Sequence, residues 1–157
     1  MAIEIERKFL VSGEGWREHV TGVRRIRQAY LSQGGNANVR VRIVDGAQAQ
    51  LTIKSCGVAL AREEYEYPLP LDDALAMLEL RAGVLIEKVR HLVPAEGGRT
   101  WEVDVFAGAH HGLVMAEIEL AHADEAFAHP EWLGREVTGD AAYGNSALAR
   151  AGLVKAE

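Results

Sequence analysis

Cysteine is nearly absent. Cys56 is the only one in 157 residues, which excludes an intrachain disulfide and any multi-cysteine metal site and fits a reducing compartment. Long apolar runs are missing too: no stretch approaches the ~18 to 20 residues of a membrane-spanning helix. The first residues, Met1-Ala2-Ile3-Glu4-Ile5-Glu6, put two carboxylates where a secretory signal carries basic charge and then an apolar core. The expectation is a cytoplasmic protein without a membrane partner. No repeat, low-complexity tract or Pro/Gly/Ser linker divides the chain, so residues 1–157 read as one domain. Aromatic residues make up only 6% of the chain, and no basic stripe interleaves them as in a base-stacking nucleic-acid platform. Positive charge is in deficit, with 17 Lys and Arg against 23 Asp and Glu for a net −6. Nonspecific attraction to nucleic acid or anionic membrane is therefore not expected. A polyanionic ligand stays open, because a ligand feels the local arrangement of charge and not its average.

What the chain does have is hydrophobic content of 48%, enough for one core burying roughly two thirds of the unfolded surface. Its apolar residues alternate with polar ones in short segments bounded by turn signals, the pattern of half-buried antiparallel strands. The segments are Ile3 to Val11, Val23 to Ser32, Asn38 to Val44, Gln48 to Lys54, Ala61 to Pro68, Leu85 to Pro94, Arg99 to Phe106 and Leu113 to Leu120. Asp45-Gly46 and Gly97-Gly98 supply the positive φ that tight hairpin turns require. Helices are few. Asp72 is placed to cap a run with Leu71, Leu75 and Leu78 on one face, ending near Gly83. Asn145 is placed to cap a C-terminal helix carrying Leu148 and ending near Gly152, and Glu14 to Val20 suits a brief helix presenting Trp16 and Val20. The fold class is α+β and β-dominated, an antiparallel sheet curled or closed into a barrel with peripheral helices.

Within a strand, residues i and i+2 share a face about 6.6 Å apart. The charged residues then fall into sets: Glu4, Glu6 and Lys8; Arg40 and Arg42; Lys54; Arg62, Glu64 and Glu66; Lys88 and Arg90; Glu102 and Asp104; Glu117 and Glu119. Any one set reads equally well as the wet face of a sheet whose other face packs on the core. Taken together they do not, because the doublets have like sign, and like charges on neighbouring same-face positions repel. The sets hold eight acids and seven bases. Turned into a barrel, crowded carboxylates call for hard divalent cations, and clustered Arg and Lys call for phosphate-like oxygens. Two divalent ions would take the group from −1 to +3, which suits a triphosphate.

The same residues resemble a known family. Glu4-Ile5-Glu6-Arg7-Lys8 matches the Glu-x-Glu-x-Lys signature of the CYTH superfamily, the triphosphate tunnel metalloenzymes. Gln28-Ala29-Tyr30-Leu31, Val39-Arg40-Val41-Arg42, Leu51-Thr52-Ile53-Lys54, Arg62-Glu63-Glu64-Tyr65-Glu66, Lys88-Val89-Arg90, Trp101-Glu102-Val103-Asp104, Ala116-Glu117-Ile118-Glu119 and Val137-Thr138-Gly139-Asp140 resemble its later motifs in order. The resemblance implies a closed antiparallel β-barrel of about eight strands enclosing a charged tunnel. It implies a metal-dependent triphosphatase of the compact bacterial branch, which cleaves inorganic triphosphate to pyrophosphate and phosphate with Mg²⁺ or Mn²⁺, two ions in the active complex. Glu4, Glu6, Glu117 and Glu119 are the first metal ligands in this reading, with Glu64, Glu66, Glu102 and Asp104 as further ligands or supporting acceptors. Arg40, Arg42, Lys54, Arg62, Lys88 and Arg90 bind substrate phosphates. Lys8 and Tyr30 resemble a pair that assists substrate positioning or proton handling. A homodimer follows by family analogy alone. The alternatives are a class IV adenylate cyclase, a thiamine or nucleoside triphosphatase, and a polyphosphate-binding module without chemistry.

Other polar residues read more plainly. His110-His111-Gly112 is expected in a surface loop, Glu63 and Glu87 have the parity of solvated positions, and Trp16, Trp101 and Trp132 read as core or barrel-covering aromatics. Asp140, Tyr143 and Asn145 suit either the closing of a tunnel or a helix cap. Cys56 is expected to be buried or half-buried.

Overall fold

Each alternating segment forms a strand in the computed structural model, which describes residues 2–56, 61–144 and 147–148. The strands are β1 (Ala2–Val11), β2 (Gly22–Ser32), β3 (Ala37–Val44), β4 (Gln48–Ser55), β5 (Ala61–Leu69), β6 (Ile86–Pro94), β7 (Thr100–Ala107), β8 (Val114–Glu119) and the short β9 (Leu133–Glu136), with helix α1 (Leu71–Leu78) between β5 and β6. All pairings are antiparallel, in the order β5-β4-β3-β2-β6-β7-β8-β1-β9, and β5 also pairs with β1. That last pairing, Ala2 opposite Glu64 through Ile5 opposite Ala61, closes the first eight strands into a barrel and removes the sheet edges. Asp45 and Gly46 both take positive φ, 54° and 66°, at the β3–β4 hairpin.

β9 was not expected from the sequence. It pairs with the second half of β1, Phe9 opposite Glu136 and Val11 opposite Leu133, where β5 no longer reaches. Arg7 on the outer face of β1 holds it by a bidentate ion pair to Glu136 at 2.6 and 2.7 Å.

The barrel carries most of its apolar core on its outside. Ala29, Val41, Ile43 and Ala49 pack under Ala74 and Leu78 of α1. Phe9, Trp101, Val103, Ala116 and Ile118 pack under Trp16, carried by a short 3-10 helix (Gly15–His19) inside the expected Glu14 to Val20 segment, and under Trp132 from the turn before β9, so all three tryptophans are core residues. A third cluster fills one end of the barrel. Tyr30, Ile86, Phe106 and Met115 lie on the inner-face parity of their strands and pack with Leu113, Val137, Tyr143 and Leu148. Among the described residues no helix is long and apolar enough to cross a membrane.

Three local expectations are corrected. The helix begins at Leu71 with Pro70, not Asp72, as its N-cap, because the Ala74 amide donates to the Pro70 carbonyl and starts the helical ladder two residues early. Asp72 and Asp73 instead sit in the first turn, where their negative charges complement the positive end of the helix dipole. Its buried face is Ala74 and Leu78, with Leu71 and Met77 half-buried, whereas Leu75 is 42% exposed. His110 is not in a surface loop: it is fully buried against the Phe106 ring, its Nε2 2.6 Å from the Leu148 carbonyl, while His111 is exposed. Tyr143 joins the end plug and Asp140 caps the turn that holds it by accepting from the Ala142 amide. Asn145 and most of the expected C-terminal helix lie outside the described residues. Cys56 is half-buried.

Candidate active site within the barrel

Strand parity and register together decide what faces the interior. Glu6 lies opposite Glu119 and Lys8 opposite Glu117, Arg90 opposite Asp104 and Leu92 opposite Glu102, Lys54 opposite Glu64 and Thr52 opposite Glu66. A cavity of about 230 Å³ results, lined by Glu4, Glu6, Arg40, Arg42, Gln50, Lys54, Glu64, Glu66, Arg90, Glu102, Glu117 and Glu119. Every lining side chain is polar or charged. Eleven of the fifteen charged positions expected at the site therefore meet around one space. Lys88 and Asp104 lie deeper, both fully buried and 2.7 Å apart through Nζ and Oδ2. Lys8 reaches Glu6 at 3.6 Å and Glu117 at 3.9 Å. Arg62 is half-buried opposite Glu4 in the register but does not line the cavity. Tyr30 is in the apolar plug, and among the described residues no hydrogen bond joins it to Lys8. Glu63 and Glu87 are exposed on the outer face.

The two signs occupy different walls. β3 contributes Arg40 and Arg42 and β6 contributes Lys88 and Arg90, whereas β1, β5, β7 and β8 carry the carboxylates. Several charges are already compensated across the boundary. Lys54 Nζ sits 2.9 Å from Glu4 and 3.1 Å from Glu64. Arg90 grips Asp104 with Nε to Oδ1 at 2.8 Å and NH2 to Oδ2 at 2.9 Å, and reaches Glu102 at 3.1 Å. Such a fork fixes the guanidinium plane as well as its charge.

Burial dominates the electrostatics. Removal from water, with Glu117 nearby, pushes the Glu6 carboxyl up to about 8 despite Lys8. Burial likewise raises Glu4, Glu102 and Glu119. Glu117 goes the other way: burial alone would raise it, but Lys8, Arg90 and Lys88 outweigh that and hold it well below the usual carboxylate range. Asp104 is lowered in the same manner, Arg90 and Lys88 overcoming its burial. Arg42 drops to about 9 through burial and the repulsion of Arg40 and Arg90. Lys88 drops to about 8, burial outweighing its contact with Asp104. Carboxyls and cations that burial drives towards their neutral forms mark crowded, poorly solvated charge, an arrangement that favours binding of counter-ions.

The chemistry of this donor set fits hard divalent ions. Seven cavity acids face four cavity bases, a formal −3 that two divalent charges would bring to +1. Among the described residues no three acids are already gathered as a ligand cage, since Glu4 and Glu64 hold Lys54, and Glu6 and Glu117 hold Lys8.

Sequence reasoning missed Gln50 in the cavity wall and Gln28 beside it. It also missed Arg24, which with Leu92, Arg99, Thr100 and Leu120 lines a recess of about 660 Å³ that shares Glu102 and Glu119 with the inner cavity. The inner face of β2 reads Arg24, Ile26, Gln28, Tyr30, without a like-charge doublet to mark it.

A closed barrel whose enclosed space is lined by opposed acidic and basic walls defines a receptor for a small polyanion together with cations. Residues 2–148 match the CYTH domain, and the chain belongs to that family. It is 44% identical over 151 residues to an inorganic triphosphatase of Acetivibrio thermocellus, the match covering 96% of this chain and 95% of that one. It is 36% identical over 151 residues to an inorganic triphosphatase of Nitrosomonas europaea, covering 93% and 96%. Among solved structures, the crystal structure of the inorganic triphosphatase NE1496 superposes with a TM-score of 0.68 at 33% identity, over 96% of this chain and all of that one. A protein from Pyrococcus furiosus, at 18% identity and a TM-score of 0.61 over 77% and 80% of the two chains, shares the fold.

Proposed function

We propose that this protein is a divalent-metal-dependent inorganic triphosphatase, cleaving a terminal phosphoanhydride of triphosphate with water to give pyrophosphate and phosphate. One observation carries the reading: the enclosed cavity offers only charged and amide side chains, so it suits a ligand that is all phosphate and offers no surface to a base or an organic ring. The names of the 44% and 36% identical relatives support it. A class IV adenylate cyclase would need an adenine pocket, and none of the cavity's lining residues is aromatic or apolar.

Arg40 and Arg42, with Lys54, Arg90 and the deeper Lys88, bind and orient the phosphoryl oxygens, and their fixed positions stabilise the charge that shifts as the terminal group departs. Asp104 holds Arg90 and Lys88 in place. Glu4, Glu6, Glu64, Glu66, Glu117 and Glu119, with Glu102 at the mouth, would hold Mg²⁺ or Mn²⁺. When bound, the ions polarise phosphoryl oxygens and acidify the attacking water. Lys54 bridges Glu4 and Glu64 at 2.9 and 3.1 Å, so it fixes these two acids in the wall and puts a cation beside them for the substrate's phosphoryl oxygens. Lys8 sits between Glu6 and Glu117, where it orders the acids, and Tyr30 seals the floor of the cavity. We infer a cytoplasmic single-domain enzyme, with a homodimer as its assembly.

Phosphate release from inorganic triphosphate, ATP and thiamine triphosphate, each with Mg²⁺, Mn²⁺ or chelator, tests the reading. The expected result is cation-dependent release that is fastest from inorganic triphosphate and abolished by chelator. Release from ATP but not from triphosphate, or formation of cyclic AMP, overturns it.

A further inference from the structure

The phosphate-binding cations are held in two different ways. Lys54, Lys88 and Arg90 are each paired to carboxylates. Arg40 and Arg42 are not: among the described residues neither makes an ion pair, and each is instead held by an uncharged side chain on the adjacent strand. Arg42 Nε donates to Gln28 Oε1 on β2 at 2.7 Å, and Arg40 NH2 donates to Thr52 Oγ1 on β4 at 3.3 Å. Gln28 and Thr52 are both buried, at 0% and 1% exposure, and stand opposite their arginines in the register, Gln28 beside Arg42 and Thr52 beside Arg40. β3 is thus flanked by a neutral holder on either side.

A guanidinium can only donate, so the Gln28 amide must turn its oxygen to Arg42. Its Nε2 is then left buried without a partner, as is Arg40 Nε. An unmet buried donor costs stability. An apolar residue would avoid that cost, and a glutamate would satisfy the arginine better, yet neither is present.

Resting on the triphosphatase reading above, we propose that Gln28 and Thr52 are positioning residues that orient Arg42 and Arg40 without neutralising them, reserving two full positive charges for the substrate's phosphoryl oxygens. The carboxylate-held cations can bind phosphate fully only when their acids are otherwise occupied, whereas this pair is available at first encounter. Triphosphate therefore gains part of its affinity before any cation is present.

The test is calorimetric titration of inorganic triphosphate into protein kept in chelator, alongside kinetics with Mg²⁺. Gln28→Glu keeps the shape and the acceptor but supplies a competing charge. It is expected to weaken metal-free binding and raise KM by about tenfold or more, with kcat changed far less and the melting temperature held or raised. Thr52→Val, which removes the acceptor at constant shape, and Gln28→Met, which frees Arg42 to swing, are expected to lower kcat/KM by about tenfold while the barrel stays folded. Should Gln28→Glu fail to fold, these two decide the matter. A Gln28→Glu protein that binds and turns over like the wild type assigns Gln28 a packing role only and overturns the proposal, as do wild-type kinetics in both Thr52→Val and Gln28→Met. A wild-type protein that neither binds nor hydrolyses triphosphate defeats the functional reading itself, a result separable from either of these.

Discussion

Glu6 shows how the site stores its readiness at the level of one side chain. Burial and the nearby Glu117 raise its pKa to about 8, so near neutral pH without divalent ions it keeps its proton and resembles an amide. Glu6→Gln should therefore be almost silent in the metal-free fold, shifting stability by under about 1 kcal/mol in urea denaturation. The carboxylate is needed once a divalent cation must be held, so the same substitution should lower Mg²⁺-dependent phosphate release by about a hundredfold or more. Unchanged turnover in Glu6→Gln would remove Glu6 from the ligand set. Residues of this kind were legible because their sign repeats at i and i+2. Gln28 and Thr52 were not, since a lone neutral residue leaves no charge pattern and its meaning depends on which strand lies alongside.

Among elements, α1 separates what periodicity can say from what packing decides. The spacing of Leu71, Leu75 and Leu78 marks an amphipathic helix, but its rotation is set by the outer wall of β2, β3 and β4, which takes Ala74 and Leu78 into contact and leaves Leu75 facing solvent. Small Ala74 lets the helix lie close to the sheet. Leu78→Ala is expected to cost about 2 to 5 kcal/mol through lost contacts and a residual void, against under about 0.5 kcal/mol for Leu75→Ala at its exposed position. Chemical denaturation of the two variants checks the order, and equal effects would mean the helix sits differently. Eight strands were readable for the same reason the site was, a strict period of two. β9 was not: four residues cannot display a period, and this strand exists because Arg7 and Glu136 fasten it where β1 outruns β5. Nor does local pattern reveal that β2 pairs with β6, β1 with β8 and β5 with β1, the three long-range pairings that turn separate charged faces into one interior.

For the molecule as a whole, a barrel that turns charge inward and carries most of its apolar core outside is stabilised differently with and without its cations. Glu6, Glu4, Glu102 and Glu119 have raised pKa values in the metal-free fold, so the folded state binds more protons than the unfolded one above the ordinary 4.5 of a glutamate. Their contribution to stability is full below that pH and is lost as pH climbs towards about 8, the folded value of Glu6. Asp104 and Glu117 are lowered, so theirs is present at neutral pH and lost only in stronger acid. Lys88, lowered from 10.5 to about 8, sheds its proton more readily when folded, so its contribution grows with pH between those values. Metal-free protein in chelator should thus lose stability from about pH 5 to 8. Saturating Mg²⁺ should flatten that decline, because the ion replaces the protons the acids otherwise need and binds only the folded arrangement. Two measurements check this: melting temperatures across pH with and without Mg²⁺, and Mg²⁺ titrations at pH 7 in buffers of differing ionisation enthalpy, where proton release should appear. Stability that instead rises from pH 5 to 8 in chelator would mean the inner carboxylates are ionised and already satisfied by their lysine and arginine neighbours, leaving the barrel no electrostatic reason to take up a divalent ion.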